Sequence, residues 1–487
     1  MSATLYDEVA YPSHPFQQTH PTRLAVPAVL FGLPFAAMEN ARVLEIGCGE
    51  GGNIIPMAVS YPNARFVGFD LAATAIAAGR SMAEALNLRN LRLEHRDILD
   101  CGSELGQFDY IIAHGVYSWV PEPVREGLLT LLRATLAPEG LAFVSYNALP
   151  GCHLRVMIRE MVMHHLRGVT GFEARLAGAR QFLNFYIDNA PDDEPTAYTV
   201  KTYCRSMLER DPRVLFHDEL GEVFQPFYLH EFVGDARRHG LEFLADSEGS
   251  WWREELFPSS RGKAVIDLVG SDPIRVHQYL DYLTTRLFRQ SILCRAERTV
   301  DREVDYRRIR KLWIAGAATA ADANPDLTSA AAVRFELADG AAIALDHPAL
   351  KQALFQIGQA WPRPLPVADL GDDLDVDEGL LQLFTAGHLD LTAGPGAVAG
   401  VVGDTPTASP WARLQLARGL TTLCTLDHAT VTVEDEPSRA FLTQLDGAHT
   451  RHDLALALAD ETRDREAAMA IVDAQLKGLA RLGLLVN

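Results

Sequence analysis

The chain has 487 residues, 48% of them hydrophobic, and its 64 Asp and Glu residues outnumber its 44 Lys and Arg residues, which gives a formal net charge of −20. Such a charge repels the phosphates of DNA and RNA, so nonspecific nucleic-acid binding is disfavoured and we expect no nucleic-acid partner. The six cysteines form no Cys-x-x-Cys pair, so the sequence predicts neither a zinc cage nor a disulfide framework, and we expect no bound metal.

Length and hydropathy also bear on domain number and location. A chain of this size normally folds as two or three domains. The sequence contains no apolar run of about 18 residues, and Met1–Glu8 lacks the basic start and apolar stretch of a signal peptide. We therefore expect a cytoplasmic protein without membrane insertion.

Residues 41–147 alternate between strand-like and helix-like patterns. Short apolar runs are separated by Ala- and Leu-rich stretches that are long enough to form helices. This alternation indicates βαβ units and therefore a parallel sheet covered by helices on both faces, as in a Rossmann-like α/β fold. The predicted strands are Arg42–Ile46, Arg65–Asp70, Leu91–His95, Tyr110–His114 and Leu141–Tyr146, and the predicted helices are Thr74–Leu88 and Pro123–Leu136.

The pattern changes after residue 150. Residues 151–225 read as a helical insertion, and residues 229–247 read as a helix, a glycine turn and a strand that completes the sheet. Residues 259–311 read as helical with basic patches. We expect their arginines, Arg286 and Arg289 among them, to form a solvated helix face or an interdomain surface.

The last third of the chain is rich in Ala and Asp and is punctuated by proline. Its short strand pairs and amphipathic helices predict an α+β domain, winged-helix-like in architecture, that contacts a partner or a substrate. We therefore divide the chain into an N-terminal arm at 1–40, an α/β core at 41–150, a middle domain at 151–310 that also completes the sheet, and a C-terminal domain at 311–487.

The segment Val43–Asn53 carries the clearest chemical pattern. Gly47, Gly49 and Gly52 form a G-x-G-x-x-G motif directly after a predicted strand. Glycine is needed where a strand turns sharply into a helix and a ligand approaches the backbone, because a Cβ atom would fill that space. Asn53 is predicted to cap the helix that follows. By itself the motif suits any dinucleotide-binding enzyme equally well.

Two acidic residues bear on which class of ligand the glycine loop binds. Asp70 ends the second predicted strand 23 residues after Gly47, where a carboxylate can bind ribose hydroxyls. Glu45 lies just before the glycines, where it would repel a pyrophosphate but attract a cationic amino acid and sulfonium. Both cofactor classes use a carboxylate such as Asp70, so it is Glu45 that argues against a nicotinamide cofactor.

Two further strand ends complete the pattern. Asp97 follows the third predicted strand, where its carboxylate can accept from an adenine amino group while Ile98 packs on the ring. His114 ends the fourth predicted strand and Gly115 follows it, on the reactive side of such a ligand.

These four motifs, in this order, resemble those of class I S-adenosylmethionine-dependent methyltransferases over residues 40–150. The resemblance implies S-adenosylmethionine as the cofactor. The residues predicted to bind it are Tyr11, His20, Glu45, Gly47, Cys48, Gly49, Asp70, Leu71, Asp97, Ile98, His114 and Gly115.

A narrower resemblance covers almost the whole chain. It rests on Tyr6-Asp-Glu8, Gly115-Val-Tyr-Ser-Trp-Val-Pro121, Ser145-Tyr-Asn147 and Pro226-Phe-Tyr-Leu-His230. These segments look like bacterial methyltransferases that carry a methyltransferase regulatory domain. That family includes rickettsial protein-lysine methyltransferases acting on outer-membrane protein, so the resemblance makes a lysine side chain the leading acceptor.

The acceptor needs its own pocket. Lysine has a pKa near 10.4, so an apolar, aromatic site must lower that pKa and accept a proton. Tyr117, Trp119 and Tyr146 follow the fourth and fifth strands at the edge where open α/β folds bind ligands, and we predict that they surround an alkylammonium through cation–π contacts. For Trp119, packing against the next helix is an equal alternative.

The N-terminal arm and one polar cluster are the remaining candidates. The arm, with Tyr11 and His20, is predicted to act as a lid over the cofactor, and an ordinary packed extension is the alternative. The polar residues at 217–219 and 230–231 have no fixed metal geometry, so we expect them to lie on a helix face or to contact substrate.

Several functions compete at this point. The leading hypothesis is a protein methyltransferase, and the alternatives are a small-molecule or natural-product methyltransferase, a noncatalytic module that keeps the fold as a cofactor sensor, and a nicotinamide-dependent oxidoreductase. The partner is accordingly a protein substrate or a small methyl acceptor. A homodimer is compatible with the sequence.

Overall fold

A computed structural model describes residues 5–303, 305–397, 402–462 and 465–486. Its centre is a seven-stranded sheet in the order β3-β2-β1-β4-β5-β7-β6. The first five strands pair in parallel, whereas β7 is antiparallel to both of its neighbours. The strands are β1 Arg42–Ile46, β2 Arg65–Asp70, β3 Leu91–His95, β4 Phe108–Ala113, β5 Leu136–Asn147, β6 Leu241–Asp246 and β7 Phe288–Arg295.

Helices cover both faces of this sheet, as the alternating sequence pattern predicts. The helix predicted over Pro123–Leu136 ends at Thr135, because residue 136 already begins β5. The helices of the arm and core are α1 Leu5–Glu8, α2 Pro21–Leu30, α3 Ile54–Ser60, α4 Ala73–Ala85 and α5 Glu122–Thr135.

The middle region is largely helical, as expected, and α6 to α9 form their own apolar core. It also returns to the sheet through β6, which confirms that the sheet closes after the insertion. Its helices are α6 His153–His165, α7 Phe172–Asn189, α8 Pro195–Leu208, α9 Pro212–Leu220, α10 Leu229–Arg238, α11 Arg253–Leu256, α12 Ser260–Val269 and α13 Pro273–Thr284.

The helical prediction for residues 259–311 is wrong at β7. This strand lies between β5 and β6, and Arg289 on it is fully buried. The Arg289 guanidinium pairs with Asp246 at 2.7 Å and with Asp281 at 2.8 Å. Arg286 also pairs with Asp246, at 3.0 Å. At Arg286 and Arg289 the structure therefore has an internal ion-pair cluster in place of the predicted solvated face or interdomain surface, and the cluster is tolerated because each buried charge has partners.

The C-terminal third contains two units. Residues 313–392 share an apolar core with α2 and one face of the central sheet, whereas the chain from 404 onward has a separate core. The elements are β8 Trp313–Ala315, β9 Ala318–Ala320, β10 Val333–Leu337, β11 Ala342–Leu345, α14 Pro348–Ala360, β12 Leu365–Pro366, α15 Leu374–Thr385, β13 Asp390–Thr392, α16 Pro410–Ala417, β14 Thr422–Cys424, β15 Thr430–Thr432, α17 Glu436–Gln444, α18 Arg451–Thr462 and α19 Arg465–Arg481. Within the described residues, no helix has both the length and the apolar character needed to cross a membrane.

Candidate active site

A cavity of about 1270 Å³ lies at the carboxyl edge of the central sheet. Its walls come from the arm, the glycine loop after β1, the ends of β2, β4 and β5, and the helical insertion. This is the edge at which open α/β folds bind their ligands. Of the residues predicted for the site, the lining includes Tyr11, Glu45, Gly47, Cys48, Gly49, Asp70, Leu71, Asp97, Ile98, His114, Gly115 and Trp119.

The glycine loop turns as its sequence predicts. Gly47 has a φ of +73°, and a Cβ atom there would lie 2.8 Å from the Val116 side chain. Gly52 has a different partner from the one expected: its N–H donates to Ser13 Oγ at 2.9 Å, and a Cβ atom would lie 2.4 Å from that oxygen. The third glycine of the motif thus leaves space for the N-terminal arm to approach the loop closely.

Glu45 is a buried carboxyl group at the inner wall, with 4% of its surface exposed. Its Oε1 accepts from Asn53 Nδ2 at 2.8 Å, whereas its Oε2 has no hydrogen-bond partner among the described residues. Burial raises the pKa of Glu45 to about 8. A cationic group in the cavity would satisfy Oε2 and favour the carboxylate, so this wall fits the ammonium and sulfonium of S-adenosylmethionine.

Asp70 lies at the tip of β2. Its Oδ2 accepts from the Gly49 N–H at 2.9 Å and its Oδ1 accepts from the Ala72 N–H at 2.8 Å. A carboxylate has about four acceptor positions, so each oxygen can also accept from a ribose hydroxyl. Burial raises the pKa of Asp70.

Asp97, Ile98 and Leu71 extend the wall away from Glu45. Asp97 uses Oδ1 to accept from the Leu99 N–H at 3.0 Å, which leaves Oδ2 available to a ligand. Leu71 is 41% exposed although it is apolar, and it lines the cavity. An apolar surface beside a carboxylate matches the requirements of an adenine ring and its amino group.

His114 occupies the centre of the cavity wall. Its Nδ1 is 2.9 Å from Ser145 Oγ, and its ring centroid is 4.0 Å from that of Phe16 in the arm. Ser145 Oγ also accepts from the Gly115 N–H at 2.8 Å. Burial lowers the pKa of His114 to about 4, so the imidazole is neutral at pH 7.

Of the three aromatic residues predicted to surround the acceptor, Tyr117 and Tyr146 contact each other, with ring centroids 6.1 Å apart, but they do so away from Trp119. Trp119 lines the cavity, but Tyr117 and Tyr146 are each 1% exposed and stand outside its described lining. Tyr117 donates to Asp235 at 3.0 Å, and Tyr146 stacks on Phe232 of α10 with a centroid distance of 4.3 Å.

The parity of β5 explains the position of Tyr146. Successive side chains along a strand point to opposite faces. Ser145 binds His114 and Asn147 lines the cavity, so Tyr146 between them points to the other face and into the core under α10. The expected edge of the sheet is correct, but the expected face is not.

His20 lies behind the site and is not among the described lining residues. It is 8% exposed, and its Nδ1 is 2.7 Å from Thr22 Oγ1 at the start of α2. Burial lowers its pKa to about 3. Its position fits the packing of the arm rather than ligand contact.

The sequence prediction missed Asn147 as a site residue. Its Oδ1 accepts from Arg155 Nη1 at 3.0 Å, and Arg155 pairs with Glu219 at 2.8 Å. The Arg155 guanidinium also lies 5.3 Å from the Trp119 ring centroid. The available signal was position alone, because Asn147 ends a strand at the ligand-binding edge.

The predicted polar cluster at 217–219 and 230–231 divides between different roles. His217 and Asp218 line the cavity, and His217 Nε2 is 2.7 Å from the Val9 carbonyl oxygen of the arm. His230 binds Gln278, and Glu231 closes the capping box of α10. The cluster therefore contributes two cavity residues and no shared ligand geometry.

The described lining carries more negative than positive side chains. Its eight carboxylates face four arginines, Arg96, Arg155, Arg175 and Arg210. Glu219, which is outside the lining, pairs with both Arg155 and Arg210, and Glu94 pairs with Arg96. Three of the four arginines are thus paired with acidic residues, Arg155 and Arg210 also with Asp218 of the lining, and the other acidic side chains favour a cationic ligand. The eight carboxylates are Asp7, Glu8, Glu45, Glu50, Asp70, Asp97, Asp218 and Glu222.

Three family models match the chain. A methyltransferase domain matches residues 43–140, a predicted methyltransferase regulatory domain matches 211–295, and the C-terminal winged helix domain of PKMT matches 404–484. The matches agree with the Rossmann-like fold, the inserted middle region and the winged-helix-like C-terminus predicted from sequence.

Two proteins of Rickettsia prowazekii are similar in sequence. The uncharacterized protein RP789 is 39% identical over 313 residues, which is 63% of this chain and 56% of RP789. The chain thus spans little more than half of that relative. The uncharacterized protein RP028 is 35% identical over 240 residues, which is 49% of this chain but 96% of RP028.

The structure of PKMT2 from Rickettsia typhi, solved with and without AdoHcy, is similar over the whole chain. The identity is 25%, the TM-score is 0.84, and the match covers 98% of this chain and 100% of PKMT2. Together with RP028 and the three family models, this similarity shows that the chain belongs to the S-adenosylmethionine-dependent methyltransferases that carry a methyltransferase regulatory domain and a PKMT-type winged helix domain.

Proposed function

We propose that this chain methylates lysine side chains of a protein, with S-adenosylmethionine as the methyl donor. The observation that carries the proposal is the cavity itself. Its inner wall includes Glu45, whose Oε2 has no hydrogen-bond partner among the described residues, beside the glycine loop, and its outer wall is acidic and contains Trp119. The likeness to PKMT2, where PKMT denotes a protein lysine methyltransferase, supports the choice of acceptor.

The residues assigned to the cofactor follow from their chemistry. When bound, S-adenosylmethionine supplies a methyl group on a positively charged sulfur. In this proposal Glu45 holds the cationic amino-acid end, Asp70 the ribose and Asp97 the adenine amino group. Gly47, Cys48, Gly49 and Gly115 leave room for backbone contact, and Leu71, Ile98 and His114 form the rest of the wall.

The acceptor side must bring in a cation and then make it a nucleophile. Asp218 and Glu222 on the outer wall attract an ammonium group, and Trp119 offers it an aromatic face. Methyl transfer needs the deprotonated amine, so partial desolvation beside Trp119 and the neutral His114 favours loss of the proton. Asn147, held by Arg155, completes this wall.

The arm is the lid in this proposal. Ser13 and Phe16 attach it to the glycine loop, because Ser13 Oγ accepts from Gly52 and the Phe16 N–H donates to Asn53. Tyr11 extends it to the insertion by donating to Asp218 at 3.4 Å. An arm bound at both ends of the cavity can cover a ligand between them.

A transfer assay tests the proposed function. The purified protein is incubated with methyl-labelled S-adenosylmethionine and lysate from cells that lack the gene. We expect label on protein lysines, located by mass spectrometry, and none with Asp70→Ala. Label confined to small metabolites would instead establish a small-molecule methyltransferase. Cofactor binding without any transfer would indicate a noncatalytic module.

The assembly state also belongs to the proposal. Apolar side chains are exposed at the end of α13 and after it, with Tyr282, Leu283 and Leu287 between 41% and 60% exposed. A homodimer would bury such a patch. Light scattering of the purified chain measures whether its mass is that of one copy or two.

A further inference from the structure

The C-terminal winged helix unit reaches the cofactor site through one hairpin. The turn between β14 and β15 projects His428 into the methyltransferase core, where the residue is 3% exposed. His428 Nε2 is 2.7 Å from Asn53 Oδ1, although the two residues are 375 positions apart. Asn53 in turn donates to Glu45 Oε1 at 2.8 Å.

An apolar contact supports this approach. Trp411 of α16 and Cys424 of β14 form one buried cluster with Ile55 and Met82 of the core. Gln17 Nε2 also donates to the carbonyl of Asp427, beside His428, at 3.4 Å. The hairpin is therefore part of a packed interface, with His428 at its deepest point.

The other hydrogen bonds of Asn53 determine whether His428 donates to the Asn53 side chain or accepts from it. The Phe16 backbone N–H can only donate, and it reaches Asn53 Oδ1 at 2.9 Å, so the amide oxygen faces the arm. The amide nitrogen then faces Glu45 Oε1. His428 must therefore donate its Nε2 proton to the same amide oxygen. Burial holds the pKa of His428 well below its usual range, so the imidazole is neutral and has one proton for this bond.

The hydrogen bonds of the Asn53 side chain connect the arm, the hairpin and Glu45. Asn53 precedes α3, where the sequence predicts a capping role, but its side chain makes no capping hydrogen bond. Its Oδ1 instead accepts from the Phe16 N–H and from His428, while its Nδ2 donates to Glu45 and to Thr19 Oγ1, the latter at 3.0 Å. The amide is thus held on one side by the arm and the hairpin, and on the other side it holds Glu45.

We propose that His428 is a positioning residue for the cofactor, which acts by orienting Asn53 and, through it, the Glu45 carboxyl group. This inference rests on the proposed use of S-adenosylmethionine at Glu45. It means that the cofactor site is complete only when the winged helix unit is docked. It also means that the β14–β15 hairpin serves this chain internally and is not free to enter a nucleic-acid groove.

The test compares two substitutions of similar size. His428→Gln keeps an N–H donor near the Nε2 position, whereas His428→Leu fills the space without a donor. S-adenosylmethionine binding to the full chain is measured by calorimetry, with thermal unfolding of each protein recorded alongside. We expect about tenfold weaker binding for His428→Leu, affinity within about threefold of wild type for His428→Gln, and no change for the matched control His452→Ala, which alters an exposed histidine of the same unit.

A double-mutant cycle separates positioning from general loss of packing. If His428 acts through Asn53, then Asn53→Ala combined with His428→Leu binds no more weakly than Asn53→Ala alone. Additive losses, or wild-type affinity in His428→Leu, would overturn the inference while leaving the proposed function intact. Failure of the wild-type chain to bind S-adenosylmethionine would overturn both.

Discussion

The two halves of the cavity are assembled in different ways. The half proposed to bind the cofactor contains Glu45, Asp70 and Asp97, each at or near the end of a strand in one continuous βαβ stretch. The half proposed to bind the acceptor joins Trp119 and Asn147 to residues of the helical insertion and to the start of β7, where Phe288 lines the cavity. Cavity residues that lie within successive βαβ units can therefore be located from local sequence pattern, whereas cavity residues brought together across an insertion cannot.

The largest effect is expected at the buried ion pairs of β7, the strand that lies in the sheet next to the acceptor half. Arg289→Met leaves Asp246 and Asp281 buried with only Arg286 to pair them. Removing one member of a buried ion cluster costs about 3–5 kcal/mol of unfolding free energy, which urea titration measures. Arg275→Met, on the exposed side of α13, should stay within about 0.5 kcal/mol of wild type. Equal stability of both variants would mean that the cluster does not stabilise this half.

Asp70→Ala tests the cofactor half. The substitution removes the ribose acceptors and leaves the N–H groups of Gly49 and Ala72 without their partner. We expect S-adenosylmethionine affinity to fall about 100-fold, or roughly 3 kcal/mol, by calorimetry. Asp100→Ala, at an exposed position outside the described lining, is the control. Wild-type affinity in Asp70→Ala would show that the cofactor lies elsewhere.

Glu45→Gln should weaken S-adenosylmethionine binding without lowering the stability of the ligand-free protein. An ionised Glu45 attracts the cationic ligand, so the variant should bind S-adenosylmethionine about 30-fold more weakly at pH 8, a loss of roughly 2 kcal/mol. Because burial raises the pKa to about 8, wild-type affinity should increase with pH up to that value. The variant should lack this component of the pH dependence. Asp70 and Cys48 also face Glu45, and they are unchanged in both proteins.

Without ligand, the order of the two proteins should reverse: Glu45→Gln, which binds the cofactor more weakly, should gain stability to unfolding relative to wild type. The unfolded carboxyl group titrates near pH 4.3, whereas Glu45 in the folded state titrates near pH 8. Between these values the folded state holds a proton that the unfolded state has released, so the contribution of Glu45 to stability falls as pH rises. Glu45→Gln should therefore gain on wild type by roughly 1 kcal/mol per pH unit in that window. Parallel stability curves would contradict the raised pKa.

The smallest effects are expected for the aromatic residues, where substitution of Trp119 should lower kcat/KM more than substitution of a buried tyrosine. Trp119→Ala removes an aromatic wall, and kcat/KM for the protein acceptor should fall about tenfold, or roughly 1.4 kcal/mol, with cofactor affinity unchanged. Tyr146→Phe should change kcat/KM by less than about twofold, because its hydroxyl contacts Ser291 at 3.3 Å inside the core. A large loss of kcat/KM in Tyr146→Phe would instead indicate that Tyr146 acts in the acceptor site.

Local sequence pattern was enough to predict the βαβ core and the edge of the sheet at which the residues proposed to bind the cofactor lie. A strand, a glycine turn and a helix are each set by local periodicity and by glycine's freedom at positive φ, so the order of these elements along the chain suffices to place Gly47, Asp70 and Asp97 on one edge of the sheet. The edge was predictable for Tyr146 as well. Its face was not, because that depends on the register of β5 against its neighbours.

Tertiary structure alone decided the rest. Arg289 is stable inside the protein only because Asp246 and Asp281 arrive from other elements, and no pattern within β7 reveals those partners. Asn53 looks like a helix cap in sequence, yet its side chain links Glu45 to His428 across 375 positions. Hydrogen bonds and ion pairs between distant segments depend on where the chain brings their atoms together, whereas local backbone preferences depend on neighbouring residues.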